Sequence, residues 1–191
     1  MQLHFRAVTV QDAERIMHWR TKPEVSAYMY TDFEPDLQRQ IEWVQSIQKN
    51  DSRLDWIIVV DDEEVGLVSI VGIDRVNHRA DWAYYLASPN VRGKGIGRSV
   101  EMNVLSYVFE ELKLHKLCCE VLVQNEIVIK IHEKYGSTVE GTRRNHVCKN
   151  GEYLDIVEMG ILRPDWEKNV KGKFEYTHAH FEMPNRELAY V

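Results

Sequence analysis

The sequence predicts a single α+β domain built on one mixed β-sheet with flanking helices, and three observations support this prediction. Strand-like and helix-like segments follow one another in the order β-α-α-β-β-β-α-β-α-β-β over about residues 3–163. A compact apolar run at 116–123 follows a helix pattern, which favours a parallel strand. The dipeptide Asn150-Gly151 separates two further strand-like runs and is typical of a tight hairpin. A chain of 191 residues is long enough for one domain with a sizeable core.

Composition narrows the classes of function. Hydrophobic residues make up 44% and charged residues 28% of the chain, as in soluble globular proteins. The formal net charge of -6 argues against general nucleic-acid binding, for which a basic surface is expected. No apolar run approaches the ~20 residues that a membrane span requires. The first residues contain no signal-peptide core, so we expect a cytoplasmic protein without a membrane anchor.

The three cysteines predict neither disulfides nor a metal site. Cys118, Cys119 and Cys148 form an odd set without C-x-x-C spacing. The first two lie in an apolar run, which favours buried small hydrophobic residues. We therefore expect no bound metal.

The first half of the chain is expected to form a strand at 3–8 and a helix that ends near Arg20. A second helix pattern covers 36–50, where apolar residues recur at three- and four-residue spacing. Between them lies an aromatic-rich segment that includes Tyr28 and Tyr30 and is broken by Pro23. This segment either packs a helix pair against the sheet or forms one wall of a pocket for an acceptor.

The central strands and helices are predicted from simpler patterns. Apolar strands at 56–60 and 65–73 flank a charged turn, and a further strand covers 79–87. An amphipathic helix at 97–112 has a clear apolar stripe. A last helix at 125–135 is closed by glycine.

The connection between the strand at 79–87 and the helix at 97–112 carries the clearest binding signal. Three glycines stand at alternate positions, and three cationic residues stand among them. The stretch consists of Arg92, Gly93, Lys94, Gly95, Ile96, Gly97 and Arg98. Glycine permits close backbone approach and positive φ, and a helix N-terminus offers unpaired amides and partial positive charge. The spacing fits neither the Walker motif nor the G-x-G-x-x-G fingerprint. The pattern predicts a cradle for a phosphate or pyrophosphate, and the alternative is a tight connection without a ligand.

This loop resembles, position for position, the acyl-CoA loop of the GNAT acetyltransferases, Arg/Gln-x-x-Gly-x-Gly/Ala. The order of elements over about residues 3–163 resembles the same fold. The resemblance implies a mixed sheet splayed between strands 4 and 5, acetyl-CoA as co-substrate, and a CoA pyrophosphate held by the loop. Residues 164–191 would then be a C-terminal extension that packs on the domain, through Trp166, or on a partner subunit of a homodimer.

Two further stretches resemble parts of the family that hold the pantetheine arm. The run Tyr84-Tyr85-Leu86-Ala87-Ser88-Pro89 looks like the fourth strand and its exit. The resemblance implies a bulged strand whose backbone at Tyr85, Leu86 and Ala87 contacts pantetheine. It also implies that an amide near Leu86 polarises the thioester carbonyl, as a one-donor oxyanion site. Asn125 matches an asparagine that lies near the pantetheine arm in relatives.

The stretch His132-Glu133-Lys134-Tyr135-Gly136 resembles the family pattern Tyr-Glu-Lys-x-Gly, with His132 in place of the usual tyrosine. That tyrosine is thought to protonate the departing CoA thiolate. A histidine can do the same, because its ordinary pKa of ~6.5 permits proton transfer near neutrality. The alternatives are that His132 only packs, or that Tyr135 donates the proton.

The general base is predicted less sharply. Asp81 stands where many relatives have a glutamate on strand 4, and His78 is a weaker candidate. Residues 81 and 86 differ by an odd number, so their side chains should face opposite ways unless a bulge intervenes. The expected mechanism is direct transfer in a ternary complex, with no acyl-enzyme.

The acceptor is the most open question. Stretches at 19–25, 77–80 and 146–155 resemble the aminosugar N-acetyltransferases of pseudaminic-acid biosynthesis, which implies a UDP-linked 4-amino-4,6-dideoxy sugar. Enzymes that acetylate ribosomal-protein N-termini and spermidine acetyltransferases are similar too. A sensor module that binds acyl-CoA without turnover is the non-enzyme alternative.

Charge and aromatic residues bear on the acceptor. Cations for a UDP group are available at Arg75, Arg79, Arg143, Arg144 and Lys149. Carboxylates for spermidine are available at Asp32, Glu34 and Asp36. Rings that suit stacking on a sugar or uracil are those of Tyr28, Tyr30, Trp82 and Tyr84. The prediction favours the nucleotide-linked amino sugar as partner.

Overall fold

The computed structural model describes residues 1–31 and 34–184. The strands are β1 (Leu3–Ala7), β2 (Leu54–Val60), β3 (Glu63–Asp74), β4 (Arg79–Leu86), β5 (Lys116–Leu122), β6 (Thr138–Lys149), β7 (Glu152–Leu162) and β8 (His180–Phe181). The helices are α1 (Ala13–Thr21), α2 (Pro23–Ser26), α3 (Leu37–Gln48), α4 (Ile96–Ser106), α5 (Glu126–Lys134) and α6 (Arg163–Asn169).

The eight strands form one mixed sheet in the order β6-β7-β5-β4-β3-β2-β1-β8, which confirms the predicted fold class. Two pairs are parallel, β4 with β5 and β1 with β8, and the others are antiparallel. The β6–β7 hairpin turns at Asn150 and Gly151, both with positive φ, as the Asn-Gly dipeptide predicts.

The sheet splays open between β4 and β5. These strands pair only over Arg79–Asp81 and Lys116–Cys118. The rest of β4, through Leu86, and the rest of β5, through Leu122, have no pairing with each other in the structure. The splay confirms the expected gap, and it leaves a wedge-shaped opening in the middle of the sheet.

The sheet is covered on both faces, so its central strands are largely apolar. All seven residues of β2 are buried. Trp56 and Ile58 pack in the core with α4, whereas Ile57 and Val59 pack in the core with α1 and α3. This alternation explains why the short apolar run in the sequence shows no polar face. We refer below to the α4/α5 face and the α1/α3 face of the sheet.

The bulge expected within strand 4 lies at its exit instead. The register of β4 against β3 is unbroken from Asp81 to Leu86. Beyond it, the amides of Ala87 and Ser88 both donate to the carbonyl oxygen of Val65, at 2.7 and 3.2 Å. Since the alternation is intact from residue 81 to residue 86, Asp81 and Leu86 point to opposite faces.

The helix that follows the glycine-rich loop differs from its predicted form at both ends. The helix expected at 97–112 begins at Ile96, and after Ser106 it widens into a π-helical turn at Tyr107–Glu111. The amide of Leu112 donates to the carbonyl of Tyr107 at 3.0 Å, which closes this wider turn.

The C-terminal segment is more ordered than its sequence indicates. It contains α6 and the short strand β8, where a segment without clear periodicity was predicted. Trp166 is buried, as expected. Phe181 stacks on Phe5 with ring centroids 4.2 Å apart, and the carbonyl of Glu182 accepts a hydrogen bond from Trp56 Nε1 at 2.7 Å. The described part of this segment therefore shares the core of the preceding residues.

Candidate active site

A cavity of about 560 Å³ lies at the gap between β4 and β5. Residues of both faces of the sheet line it. Trp82 and His132 contribute from the α4/α5 face, and Tyr85 and Glu120 contribute from the α1/α3 face. Two molecules could therefore meet in the gap by approaching from opposite sides of the sheet.

The glycine-rich loop is outside the wall of this cavity, but Arg92 pairs at 3.8 Å with Glu24, which lines it. The loop has the geometry of an anion cradle. Gly93 and Gly95 have φ of 73° and 75°, values that favour glycine. Gly95 is the N-cap of α4, so the first amides of that helix have no partner within it. The three cations of the loop, Arg92, Lys94 and Arg98, are exposed. Amides, helix dipole and cations together fit a pyrophosphate.

Of the residues predicted to contact the pantetheine arm, some line the cavity and one has its backbone groups hydrogen-bonded within the protein. Tyr85, Leu86 and Asn125 line the cavity, and the side chain of Asn125 makes no capping bond to α5. Ala87 is different, because its amide donates to Val65 and its carbonyl accepts from Lys22 Nζ at 2.8 Å. The amide of Ala87 is thus already used, which corrects its expected contact with the cofactor through that group.

His132 is buried at the wall of the cavity, on α5. Its Nδ1 lies 2.8 Å from Oε1 of Glu101, a residue of α4. The indole of Trp82 contacts the imidazole edge-on, with ring centroids 5.4 Å apart. Because Nδ1 faces Glu101, Nε2 is the nitrogen that can exchange a proton with a ligand.

The surroundings of His132 favour its protonated form. Burial by itself lowers the pKa of the imidazole, but hydrogen bonding to Cys119 and to Glu101 and the charge of Glu101 outweigh it. The net effect raises the pKa of His132 to about 10. The ring is therefore a proton donor at neutral pH, which fits the predicted acid and departs from the ordinary titration near ~6.5 that the sequence implied.

The alternative acid, Tyr135, is buried in the core of the α4/α5 face. Its ring stands edge-on to that of Phe174, with centroids 5.1 Å apart. Tyr135 is absent from the cavity wall, so its position fits packing better than proton donation.

The α1/α3 face of the gap presents carboxylates. Glu120 of β5 lines the cavity, accepts a hydrogen bond from the Tyr30 hydroxyl at 3.3 Å and pairs with Arg143 at 3.4 Å. Asp81 lies at the apex of the splay, outside the cavity wall. Burial, and then the negative charge of Glu120, raise the pKa of Asp81 above its ordinary value. A raised pKa makes this carboxylate a better proton acceptor.

The four aromatic residues predicted to contact the acceptor fall on different faces. Tyr28 lines the cavity and is 49% exposed, and Tyr30 lies nearby against Glu120. Trp82 and Tyr84 lie on the α4/α5 face and stack on each other with centroids 5.5 Å apart. The structure therefore does not gather the four rings into one acceptor wall.

Most of the cations proposed for a nucleotide are committed elsewhere. Arg79 pairs with Asp74 at 3.7 Å, and Arg143 pairs with Glu158 and Glu120. Lys149 donates to the carbonyl oxygens of Ser26, Ala27 and Met29.

The carboxylates that the sequence offered for binding spermidine do not form a cluster at the cavity either. Asp36 caps α3 by accepting from the amide of Arg39 at 3.0 Å, and Glu34 is exposed. Asp32 lies outside the described residues.

Two carboxylates of the site, Glu101 and Glu120, were missed at the level of sequence. Glu101 lies within the apolar stripe of its helix, three residues before Val104, where a charge is unusual. That position was the available signal. Glu120 lies in the apolar run of β5 and alternates with Cys119 and Val121, so its outward face could have been read from the two-residue period.

Two absences can be stated for residues 1–31 and 34–184. No group of three or more His, Cys, Asp or Glu side chains is arranged to hold a metal ion. No helix there is long and apolar enough to cross a bilayer.

Comparison with known families identifies the class of this site. A family model described as the acetyltransferase (GNAT) domain matches residues 2–138. The chain therefore belongs to the GNAT acetyltransferases. It is an N-acetyltransferase that uses acetyl-CoA as co-substrate, in agreement with the glycine-rich loop and the splayed strands.

Three curated relatives differ in the names that they carry. "Putative ribosomal N-acetyltransferase YdaF" of Bacillus subtilis is 29% identical over 161 residues, or 83% of this chain and 84% of that protein. Spermidine N(1)-acetyltransferase of Escherichia coli is 33% identical over 108 residues, or 56% and 58%. Acetyltransferase PseH of Campylobacter jejuni is 23% identical over 147 residues, or 76% and 90%.

Among solved structures, spermidine N-acetyltransferase of Vibrio cholerae in complex with CoA and spermine superposes with a TM-score of 0.80. The identity is 23%, over 87% of this chain and 98% of the other. At this identity the likeness establishes the fold, which agrees with the mixed, splayed sheet described above.

Proposed function

We propose that this protein acetylates a primary amine of a small cationic acceptor of the spermidine type. The observation that carries the proposal is Glu120, a carboxylate on the α1/α3 side of the gap, with Asp81 close behind it. A protonated amine is attracted to such a pair of carboxylates. The named relative from Escherichia coli and the spermine complex from Vibrio cholerae support the same class of acceptor.

In the proposed reaction, CoA lies on the loop at the start of α4 and its thioester reaches the gap along β4. The amine enters from the α1/α3 face and loses a proton to Glu120 or, through water, to Asp81. Its nitrogen then attacks the acetyl carbonyl carbon, and the amide of Leu86 donates to the developing oxyanion. When the carbon–sulfur bond breaks, Nε2 of His132 gives its proton to the thiolate.

A nucleotide-linked amino sugar is the second candidate. It is favoured by the resemblance of residues 19–25, 77–80 and 146–155, and by the exposed ring of Tyr28 at the cavity. A UDP group carries a diphosphate, however, and Arg143 and Lys149 are engaged with protein groups. The cationic acceptor is therefore the better-supported proposal.

The test is release of CoA thiol from acetyl-CoA with three acceptors compared at equal concentration. The acceptors are spermidine, a UDP-4-amino-4,6-dideoxy sugar and a peptide with a free N-terminus. We expect the highest kcat/KM for spermidine, with one acetyl group found on the product by mass spectrometry. Preference for the sugar or the peptide would overturn the assignment of the acceptor and leave the fold and the donor unchanged.

A further inference from the structure

We propose that Glu101 is the positioning residue of this active site. It holds the ring of His132 in one orientation and keeps it in the form that can donate a proton into the gap. The inference rests on the proposed function, in which His132 is the proton donor. It concerns a carboxylate that does not itself touch either substrate.

The geometry of the pair supports this role. Glu101 and His132 come from different helices, α4 and α5, and their residues are 1% and 4% exposed. The Oε1–Nδ1 distance of 2.8 Å is that of a charge-assisted hydrogen bond. A ring held through Nδ1 can turn only Nε2 toward the cavity that it lines.

The second oxygen of Glu101 strengthens the argument. Within the described chain, its Oε2 is buried and has no hydrogen-bond partner. A buried carboxylate is costly to keep ionised unless a cation lies against it. His132 is the cation that the structure supplies, so each member of the pair favours the charged form of the other.

Three other titratable groups surround the pair, and one of them, Cys119 of β5, also raises the pKa of His132 through a hydrogen bond. Tyr84 approaches from β4, and Tyr135 directly follows α5. Burial raises the pKa of both tyrosines, which keeps their hydroxyls neutral. In this set Glu101 is the only carboxylic acid, and its Oε1 lies 2.8 Å from Nδ1 of His132.

The proton balance of the step follows from this arrangement. As the carbon–sulfur bond of acetyl-CoA breaks, its electron pair leaves with sulfur, which takes the proton from Nε2 of His132. The ring becomes neutral and keeps its other proton on Nδ1, still donated to Glu101. Glu101 remains a carboxylate throughout, and solvent restores the proton on Nε2.

The first test reads the ring directly by NMR titration of protein with isotope-labelled histidine, without any acceptor. The signal of His132 is assigned by its loss in His132→Gln, since the chain has 8 histidines. In wild-type protein its midpoint should lie well above ~6.5. Glu101→Gln should lower the midpoint clearly below that of wild-type protein, because the charge of Glu101 is lost while burial and the contact with Cys119 remain. Glu111→Gln, the same change at an exposed site, should leave it unchanged.

A second test separates positioning from a merely structural role. Glu101→Gln should lower kcat at pH 7 by about 100-fold, near the lower end for a general acid, with little change in KM for acetyl-CoA. The decline of kcat at alkaline pH should move to lower pH. Glu101→Asp keeps the carboxylate on a side chain that is one methylene shorter, so the midpoint of His132 should lie between those of wild-type protein and Glu101→Gln. This variant also provides the test if Glu101→Gln does not fold.

Either variant showing the wild-type midpoint of His132 and the wild-type pH profile would overturn the proposal. The NMR result also stands apart from the proposed function. Wild-type protein that acetylates no amine, but whose His132 midpoint falls in Glu101→Gln, would refute the function and retain the effect of Glu101 on the ring.

Discussion

At the scale of single residues, the sequence singled out His132, which the structure places at the cavity wall, and it left out two neighbouring carboxylates. The position of His132 could be predicted because it replaces a family tyrosine within a recognisable stretch. Its partner Glu101 is 31 residues away in sequence, and only the packing of α4 on α5 brings the two together. Glu120 could not be identified from the sequence for a similar reason. It lines the cavity because β5 separates from β4 after Cys118, which is a tertiary feature.

Glu120 can be tested against a matched carboxylate. Glu120 and Glu158 both pair with Arg143, but only Glu120 lines the cavity. We expect Glu120→Gln to lower kcat/KM for spermidine by roughly 10-fold or more, as for loss of one charged hydrogen-bonding partner of ~1.5–3 kcal/mol. Steady-state kinetics with varied spermidine measures this effect.

Glu158→Gln serves as the control and should retain kcat/KM within a factor of about two, since Glu158 lies outside the cavity wall and its ion pair with Arg143 is partly solvated. Equal losses of kcat/KM in the two variants would show that Glu120 acts by pairing with Arg143 and not by binding the acceptor.

At the scale of elements, the connection from β4 to α4 is where sequence and structure agree best. Its glycines can be read from the sequence because positive φ restricts the residue type, and Gly93 and Gly95 have such angles. The bulge of β4 was misplaced, because the strand register is set by contacts with β3 that no local pattern reveals. The engagement of the Ala87 amide by Val65 follows from the same pairing.

The loop can be tested by adding one methyl group. Gly95→Ala forces a side chain into φ of 75° at the N-cap of α4. Alanine should shift the loop away from this backbone conformation, and restoring that conformation for CoA then costs ~1–2 kcal/mol, which weakens binding of CoA by roughly 5- to 30-fold. Isothermal titration calorimetry with CoA measures this change.

Gly172→Ala carries the same strain, at φ of 71°, in open space away from the loop. It should leave CoA affinity unchanged. If Gly95→Ala also bound CoA with wild-type affinity, the loop would not be the pyrophosphate site.

At the scale of the whole molecule, the mixed α+β class could be predicted from the order of elements along the chain, and the splay was implied only by the resemblance to the family. The order of the strands within the sheet and the C-terminal closure were not predicted. The strand β8 has two residues, too few for a periodic pattern, and it is held by Phe181 packing on β1 and β2. The division of the chain at residue 163 remains a prediction.

The splay also explains why one chain can bring two substrates together. The cavity at the gap has walls on both faces of the sheet, with His132 on one face and Glu120 on the other. In the proposed mechanism, acetyl-CoA and the amine approach from opposite sides and react directly, without a covalent acyl-enzyme. The feature on which that proposal depends most is a protonated His132 at the thioester end of the gap.

The most direct measurement is kcat for acetyl transfer from saturating acetyl-CoA in wild-type protein and in His132→Gln, together with the Kd for CoA. We predict that kcat falls by about 100-fold or more, the contribution expected of a general acid, while the Kd for CoA stays within a factor of about two. Wild-type kcat in His132→Gln would contradict the role of His132 and the mechanism built on it.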